Sequence, residues 1–279
     1  MTTTSLYAKT YEITKKSFMR RRLGQHFLKD KKTLERIAEV LDFKKGEVIV
    51  EVGPGHGELT HVLSDMYREA KIVAVEKDGG LVNFLKKKFS DDGDVEIIEG
   101  DILKLLSSIT YNLKPKTFKI VGNIPYYITG QLLRLIEGLK NKPKMCVFML
   151  QKEVAERIAS KPPRMNKLSA SVQFWADIEI VQVISRKVFS PPPDVDSAII
   201  RLRVLGDSFQ MEEKKYYKMV KVLFKQPRKT ILNNLTDGLL IKKTEVEKKL
   251  KELGLDSKLR PQNLEVKDIV KVSELFESS

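Results

Sequence analysis

Two short runs in this sequence combine residue types that could do chemistry. The first is Glu51-Val52-Gly53-Pro54-Gly55-His56-Gly57, three glycines at G-x-G-x-G spacing behind a carboxylate. Glycines at a strand-to-helix turn let the backbone bend tightly and let a nucleotide-like ligand lie against the chain. A dinucleotide fingerprint wants G-x-G-x-x-G, but Glu58 follows Gly57, and Glu51 would repel a pyrophosphate. The better-fitting ligand has an adenosine without phosphates, of which S-adenosylmethionine is the common one. The competing reading is an ordinary glycine-rich turn.

The second run is Asn123-Ile124-Pro125-Tyr126. An amide oxygen, a proline-fixed turn and an aromatic together can hold a planar amino group and stack on its ring. Asn is a natural partner for adenine, and aromatics stack on unpaired bases. The N6 lone pair of adenine is delocalised into the ring and is a poor nucleophile. Acceptors for its two hydrogens, such as the Asn123 oxygen and a backbone carbonyl beside Pro125, would push the nitrogen towards a tetrahedral shape. Its lone pair would then point at a methyl donor, so that catalysis is mostly positioning plus electrostatics. The plain alternative is an Asn-x-Pro turn with a surface tyrosine.

Two carboxylates complete a nucleoside-shaped set. Glu76 suits a ribose, whose two hydroxyls can both donate to it, and Asp101 suits the exocyclic amine of an adenine. Singly, Glu76 reads equally as a charge facing water and Asp101 as an N-cap before Ile102-Leu103. Phe189 could cover the second face of a target base or belong to the core.

These residues need a scaffold that brings strand ends together. Val48 to Val50, Lys71 to Val75, Val95 to Glu99, Phe118 to Val121 and Met145 to Leu150 read as strands. Helical patterns lie between them, the first after Asp30 with Leu34, Ile37, Ala38 and Leu41 on one face. The alternation predicts an α/β fold with a mainly parallel sheet. In such a sheet the carboxyl ends share one rim, where ligands bind. A helix over 152–159 is broken by Pro162-Pro163, and a basic loop with Arg164 and Lys167 leads on. Two more strands, 178–184 and 198–204, flank a stiff extended loop from Val188 to Asp196. After Gly206-Asp207-Ser208, which reads as a linker, a lysine-rich stretch from Met211 to Phe276 has helical period. The expected organisation is a basic arm over 1–22, an α/β domain over 23–205 and a small helical domain over 206–279.

The 279 residues carry a net charge of +14, with compact clusters at Arg20 to Arg22, Lys86 to Lys88, and Lys225 with Arg228 and Lys229. Nucleic acid is the leading partner for such an excess, because phosphate contacts release counterions. No stretch approaches the length of a membrane span, and the amino-terminal arm lacks the apolar core of a secretory signal. One cysteine, Cys146, in an apolar run, excludes an intramolecular disulfide and reads as a buried inert thiol. His26, His56 and His61 suggest no metal site.

The motifs in order resemble the ribosomal RNA small-subunit adenine dimethyltransferases over nearly the whole chain. Gly24-Gln25-His26-Phe27-Leu28, Glu51 to Gly57, Gly100-Asp101, Asn123 to Tyr126, Gln151 to Arg157 and Phe189 to Ser197 carry the resemblance. It implies a Rossmann-like methyltransferase domain with a small α-helical C-terminal domain for RNA or ribosome binding. It also implies S-adenosylmethionine-dependent dimethylation of two adjacent adenines near the 3′ end of small-subunit RNA. The expected setting is the immature small subunit in the cytoplasm, with a monomeric enzyme. By matching position, His26, Leu28, Gly53, Gly55, Glu76, Asp101 and Asn123 would contact the cofactor. Asn123, Pro125, Tyr126 and Phe189 would meet the target adenine. The sequence departs from the family at Asn166-Lys167 and at Pro227, on surfaces expected to meet RNA. Two rivals share parts of this pattern: the large-subunit RNA methyltransferases of macrolide resistance, and a non-catalytic RNA-binding assembly or transcription factor. Arg260-Pro261-Gln262-Asn263-Leu264 fits the small-subunit group better.

Overall fold

The computed structural model describes residues 27–28, 30–113, 117–206 and 211–277. The chain divides into two compact units, Met1–Lys152 with Val181–Arg201, and Glu153–Ile180 with Leu202–Ser279. Strands and helices alternate as the sequence pattern predicts. β1 (Phe27–Leu28) and α1 (Lys31–Leu41) lead to β2 (Val48–Val52), α2 (Glu58–Met66), β3 (Lys71–Glu76) and α3 (Gly79–Lys88). Next come β4 (Val95–Glu99), α4 (Ile102–Asn112), β5 (Phe118–Asn123), a 3-10 turn (Tyr126–Ile128), α5 (Thr129–Glu137) and β6 (Met145–Gln151). The chain continues through α6 (Lys152–Ala159), α7 (Lys167–Gln173), β7 (Ala176–Ile184), β8 (Phe189–Ser190) and β9 (Ser197–Val204). It ends in α8 (Glu213–Leu223), α9 (Ile231–Leu239), α10 (Lys243–Glu252) and α11 (Val266–Glu277).

Seven strands form one sheet in the order β4-β3-β2-β5-β6-β9-β7. The neighbours from β4 to β6 pair in parallel. The chain steps outward from β2 to β3 and β4, then returns to lay β5 on the other side of β2. That reversal opens a crevice beyond the carboxyl ends of β2 and β5. α1 turns its apolar face, Leu34, Ile37, Ala38 and Leu41, into a core shared with Ile49, Ile72, Val121 and Val147 of the sheet. Asp30 starts this helix by accepting the Thr33 N–H at 2.9 Å. Cys146 is buried in β6, where desolvation pushes its thiol pKa up, as expected of an inert thiol.

In the second unit α8 to α11 enclose their own core, with Tyr216, Leu223, Ile231, Leu235, Leu250 and Ile269 buried. Phe174 stacks on Tyr216 with ring centroids 3.9 Å apart. The stretch read as a basic loop turns helical at once. Asn166 accepts the N–H groups of Leu168 and Ser169, and the Ser169 hydroxyl accepts the Asn166 N–H at 2.8 Å. This reciprocal cap starts α7, whose seven residues are too few for periodicity to reveal. The extended loop after β7 also differs from expectation, because β8 pairs antiparallel with β1. Among the described residues no helix is long and apolar enough to cross a membrane.

A buried ion pair anchors the sheet at the end away from the crevice. Lys119 on β5 and Glu47 lie 2.9 Å apart, each with a side chain 4% exposed. The Lys119 ammonium also donates to the carbonyls of Leu41 and Asp42, at the end of α1. Burial alone would raise the Glu47 pKa, but the Lys119 ammonium and the Lys44 N–H outweigh it and hold the group below its ordinary value. Lys119→Met is expected to lower unfolding stability in urea by about 3 kcal/mol, because it leaves the buried carboxylate with only the exposed Lys144 ammonium, 3.3 Å from its other oxygen. Glu47→Gln combined with Lys119→Met should recover much of that loss. The ion-pair contribution should be complete above the ordinary glutamate pKa and fade as pH falls through the depressed folded value. A loss under about 1 kcal/mol, typical of surface pairs, would show that the pair does not anchor the sheet.

Candidate active site

A cleft of about 740 Å³ lies at the carboxyl ends of β2, β3, β4 and β5. Its wall brings together Leu28, Gly53, Gly55, Glu76, Asp101, Asn123, Pro125 and Tyr126, residues far apart in sequence. His26 lies outside the described residues. Phe189 is not on the wall. It is 5% exposed, packed in the core, with its backbone opposite Leu28. The second aromatic on the wall is Tyr127, which is 57% exposed. Tyr127 follows Tyr126 directly, so the sequence shows it, but a second tyrosine in a turn carries no signal of its own.

The glycine loop is held from two sides. The Gly55 N–H donates to Glu76 Oε2 at 3.1 Å, and Glu76 Oε1 accepts the N–H groups of Lys77 and Asp78 at 2.8 and 2.9 Å. Burial pushes the Glu76 pKa up, and these three N–H groups pull it back. On the other side the Lys88 ammonium donates to the carbonyls of His56 at 3.0 Å and Gly57 at 3.3 Å. Lys88 therefore belongs to the loop, although in sequence it reads as one of a surface trio. Gly57 has φ +77°, and a Cβ there would stand 2.8 Å from Leu85 and Phe89, so glycine is what lets α3 close on the loop. Gly53, at φ +64°, would meet nothing within 4 Å. Backbone conformation requires that glycine, and the space beside it is left open to a ligand.

Asp101 and Asn123 flank the loop. Asp101 Oδ1 accepts the Leu103 N–H at 3.0 Å and caps α4, while Oδ2 takes the Lys77 ammonium at 2.9 Å. That ammonium holds the Asp101 pKa below the usual carboxylate range. The N-cap reading of Asp101 is thus correct, and the carboxylate still lines the cleft. Asn123 is the last residue of β5, opposite Met149. Beyond it the Ile124 N–H donates to the Met149 carbonyl at 3.1 Å, and the Pro125 carbonyl accepts the Ile128 N–H at 3.1 Å. The Tyr126 hydroxyl bonds Ser197 Oγ at 3.1 Å, which fixes the ring at the end of the turn.

The charge of the cleft runs against that of the chain. Glu51, Glu58, Glu76, Asp78 and Asp101 line it, with Lys77 as the single lining lysine among the described residues. A concave acidic site in a chain of net charge +14 repels phosphates and attracts cations. S-adenosylmethionine, a phosphate-free adenosine carrying a sulfonium and an ammonium, fits the donors, the acceptors and the sign of this site.

Residues 16–278 match the family model described as ribosomal RNA adenine dimethylase. The protein called ribosomal RNA small subunit methyltransferase A of Mycoplasma mycoides subsp. mycoides is 37% identical over 262 residues, covering 92% of this chain and 97% of that protein. Its namesake from Geobacillus kaustophilus is 35% identical, over 90% and 88% of the two chains. Among solved structures, a dimethyladenosine transferase from Plasmodium falciparum superposes with a TM-score of 0.76 at 25% identity, over 91% and 98% of the two chains. The 23S rRNA methyltransferase ErmE gives 0.72 at 27% identity, over 90% and 99%. With the acidic nucleoside cleft and the Asn-Ile-Pro-Tyr turn on one wall, these matches make the chain a member of the ribosomal RNA adenine dimethylase family, an rRNA adenine dimethyltransferase that uses S-adenosylmethionine.

Proposed function

We propose that this chain dimethylates N6 of two adjacent adenines near the 3′ end of small-subunit rRNA, acting as a monomer on the immature small subunit. The observation that carries this reading is the single cleft that joins the glycine loop, Glu76 and Asp101 to the Asn123–Tyr126 turn. The small-subunit target is favoured over a large-subunit one by the names of the relatives at 35–37% identity, against 27% for ErmE.

S-adenosylmethionine, when bound, supplies an electrophilic methyl group on a positively charged sulfur. The cleft residues divide the remaining work. Glu76, its carboxylate fixed by three backbone N–H groups, keeps lone pairs for the ribose hydroxyls. Asp101 accepts from the exocyclic amine of the cofactor adenine, and Leu28, Gly53 and Gly55 provide the surface against which the ligand lies. At the other end the Asn123 side-chain oxygen accepts one N6 hydrogen of the target base. A backbone carbonyl beside Pro125 accepts the second; one lone pair of the Pro125 carbonyl is already taken by the Ile128 N–H, which favours the Ile124 carbonyl. Pro125 fixes the turn, and Tyr126 offers a ring for stacking, steadied by Ser197. Together the acceptors localise the N6 lone pair, and no side chain has to remove a proton before attack. Phe189, deep in the core, serves by packing behind Leu28, and Tyr127 is the better placed second aromatic for a base.

Two outcomes test this division. Asn123→Ala should lower cofactor binding only modestly and leave particle binding close to that of the parent, while methyl transfer falls by roughly a hundredfold or more. Mass spectrometry of mono- and dimethyladenine in single-turnover reactions on immature subunits reads this directly, and dimethyladenine formed at the parent rate would reduce the turn to a structural one. Glu76→Ala should weaken S-adenosylmethionine binding by about 1.5–3 kcal/mol, the range for hydrogen bonds to a charged group. Unchanged affinity by titration calorimetry would remove Glu76 from the ribose site.

A further inference from the structure

One buried carboxyl has no part in the chemistry above. Glu51, the fourth residue of β2, is 1% exposed and lines the cleft beneath the glycine loop. Its Oε2 has no hydrogen-bond partner of normal geometry; the donor beside it is the Thr60 hydroxyl on α2, fully buried and itself without another partner. The adjacent strands supply no counter-charge, since β3 places Ala74 opposite Glu51 and β5 places Val121. The charged groups facing it are Glu58 on α2, Glu76 on β3 and Lys88 on α3. The Lys88 ammonium is already committed to the His56 and Gly57 carbonyls. An unpartnered, desolvated acceptor on the wall of a ligand cleft is costly unless a ligand group completes it.

We propose that Glu51 is the counter-ion for the positive end of the cofactor and exchanges its own proton for that charge on binding. Without cofactor the group is a neutral carboxylic acid. On binding it becomes a carboxylate, and the proton passes to solvent. Burial supports the neutral resting form, pushing the Glu51 pKa up to about 8; the Thr60 hydroxyl and Lys88 oppose this, and Glu58 and Glu76 add to it. S-adenosylhomocysteine lacks the sulfonium charge, so Glu51 should discriminate between cofactor and product. The inference rests on the reading of this cleft as the S-adenosylmethionine site.

Titration calorimetry of the full chain in buffers of different ionisation enthalpy counts the protons released per cofactor bound. Glu51→Gln keeps the size of the side chain and removes its titration, while the cofactor's own titration is common to both proteins. At pH 7 the parent should release about 0.9 proton more than the variant, the fraction held by a group titrating near 8. Between pH 6 and 7 the parent's affinity should rise up to about tenfold more than the variant's, and the difference should vanish above about pH 9. The same parent-minus-variant difference gives a second reading, and it should be smaller with S-adenosylhomocysteine than with S-adenosylmethionine at pH 7. Equal proton counts for parent and variant, or the same parent-minus-variant difference with both ligands, would overturn the proposal while leaving the cofactor site in place. Failure of the parent to bind S-adenosylmethionine at all would instead overturn the reading of the cleft.

Discussion

The structure turns on one carboxylate and the backbone it gathers. Glu76 ends β3 beside the glycine loop and accepts from Gly55, Lys77 and Asp78 at 2.8 to 3.1 Å. Those bonds set the loop after β2 and the entry to α3, whose Asp78 cap in turn accepts from Gly80 and Leu81. α3 then delivers Lys88 to the far side of the same loop, and Gly57 permits the close approach. A carboxylate fixed by backbone donors is preorganised, so a ribose does not have to order it on binding.

The second organising feature is the separation of charge. A chain of net charge +14 is suited to a polyanion, and its cofactor is a cation. One surface cannot serve both. The carboxylates therefore collect in the cleft, where low-dielectric walls sharpen their field, and of the described lysines only Lys77 joins them on its wall. The basic loop with Lys225, Arg228 and Lys229 is ordered by the buried amide of Asn234, which bonds Gln226 through both its backbone N–H and its carbonyl. Arg20 to Arg22 lie outside the described residues.

The strand ends were legible because glycine spacing and apolar runs constrain a parallel sheet strongly. Glu76, Asp101 and Asn123 each close such a run or follow it at once, and the topology brings all three to one rim. What stayed hidden depends on contacts distant in sequence. Phe189 reads as well for a base cover as for core, and its burial and its pairing beside Leu28 are visible only in the fold. Lys88 looks like its neighbours until α3 is folded against the loop. Glu51 announces a negative charge in sequence, while burial gives it a raised pKa. α7 is specified by a cap rather than by a period.

The most direct measurement is a crystal structure of the full chain grown with S-adenosylmethionine. The account expects both ribose hydroxyls within hydrogen-bond distance of Glu76 and the adenine amine against Asp101. The sulfonium methyl should point across the cleft towards Asn123. Cofactor bound elsewhere, or bound with its ribose away from Glu76 and its methyl turned from Asn123, would contradict it.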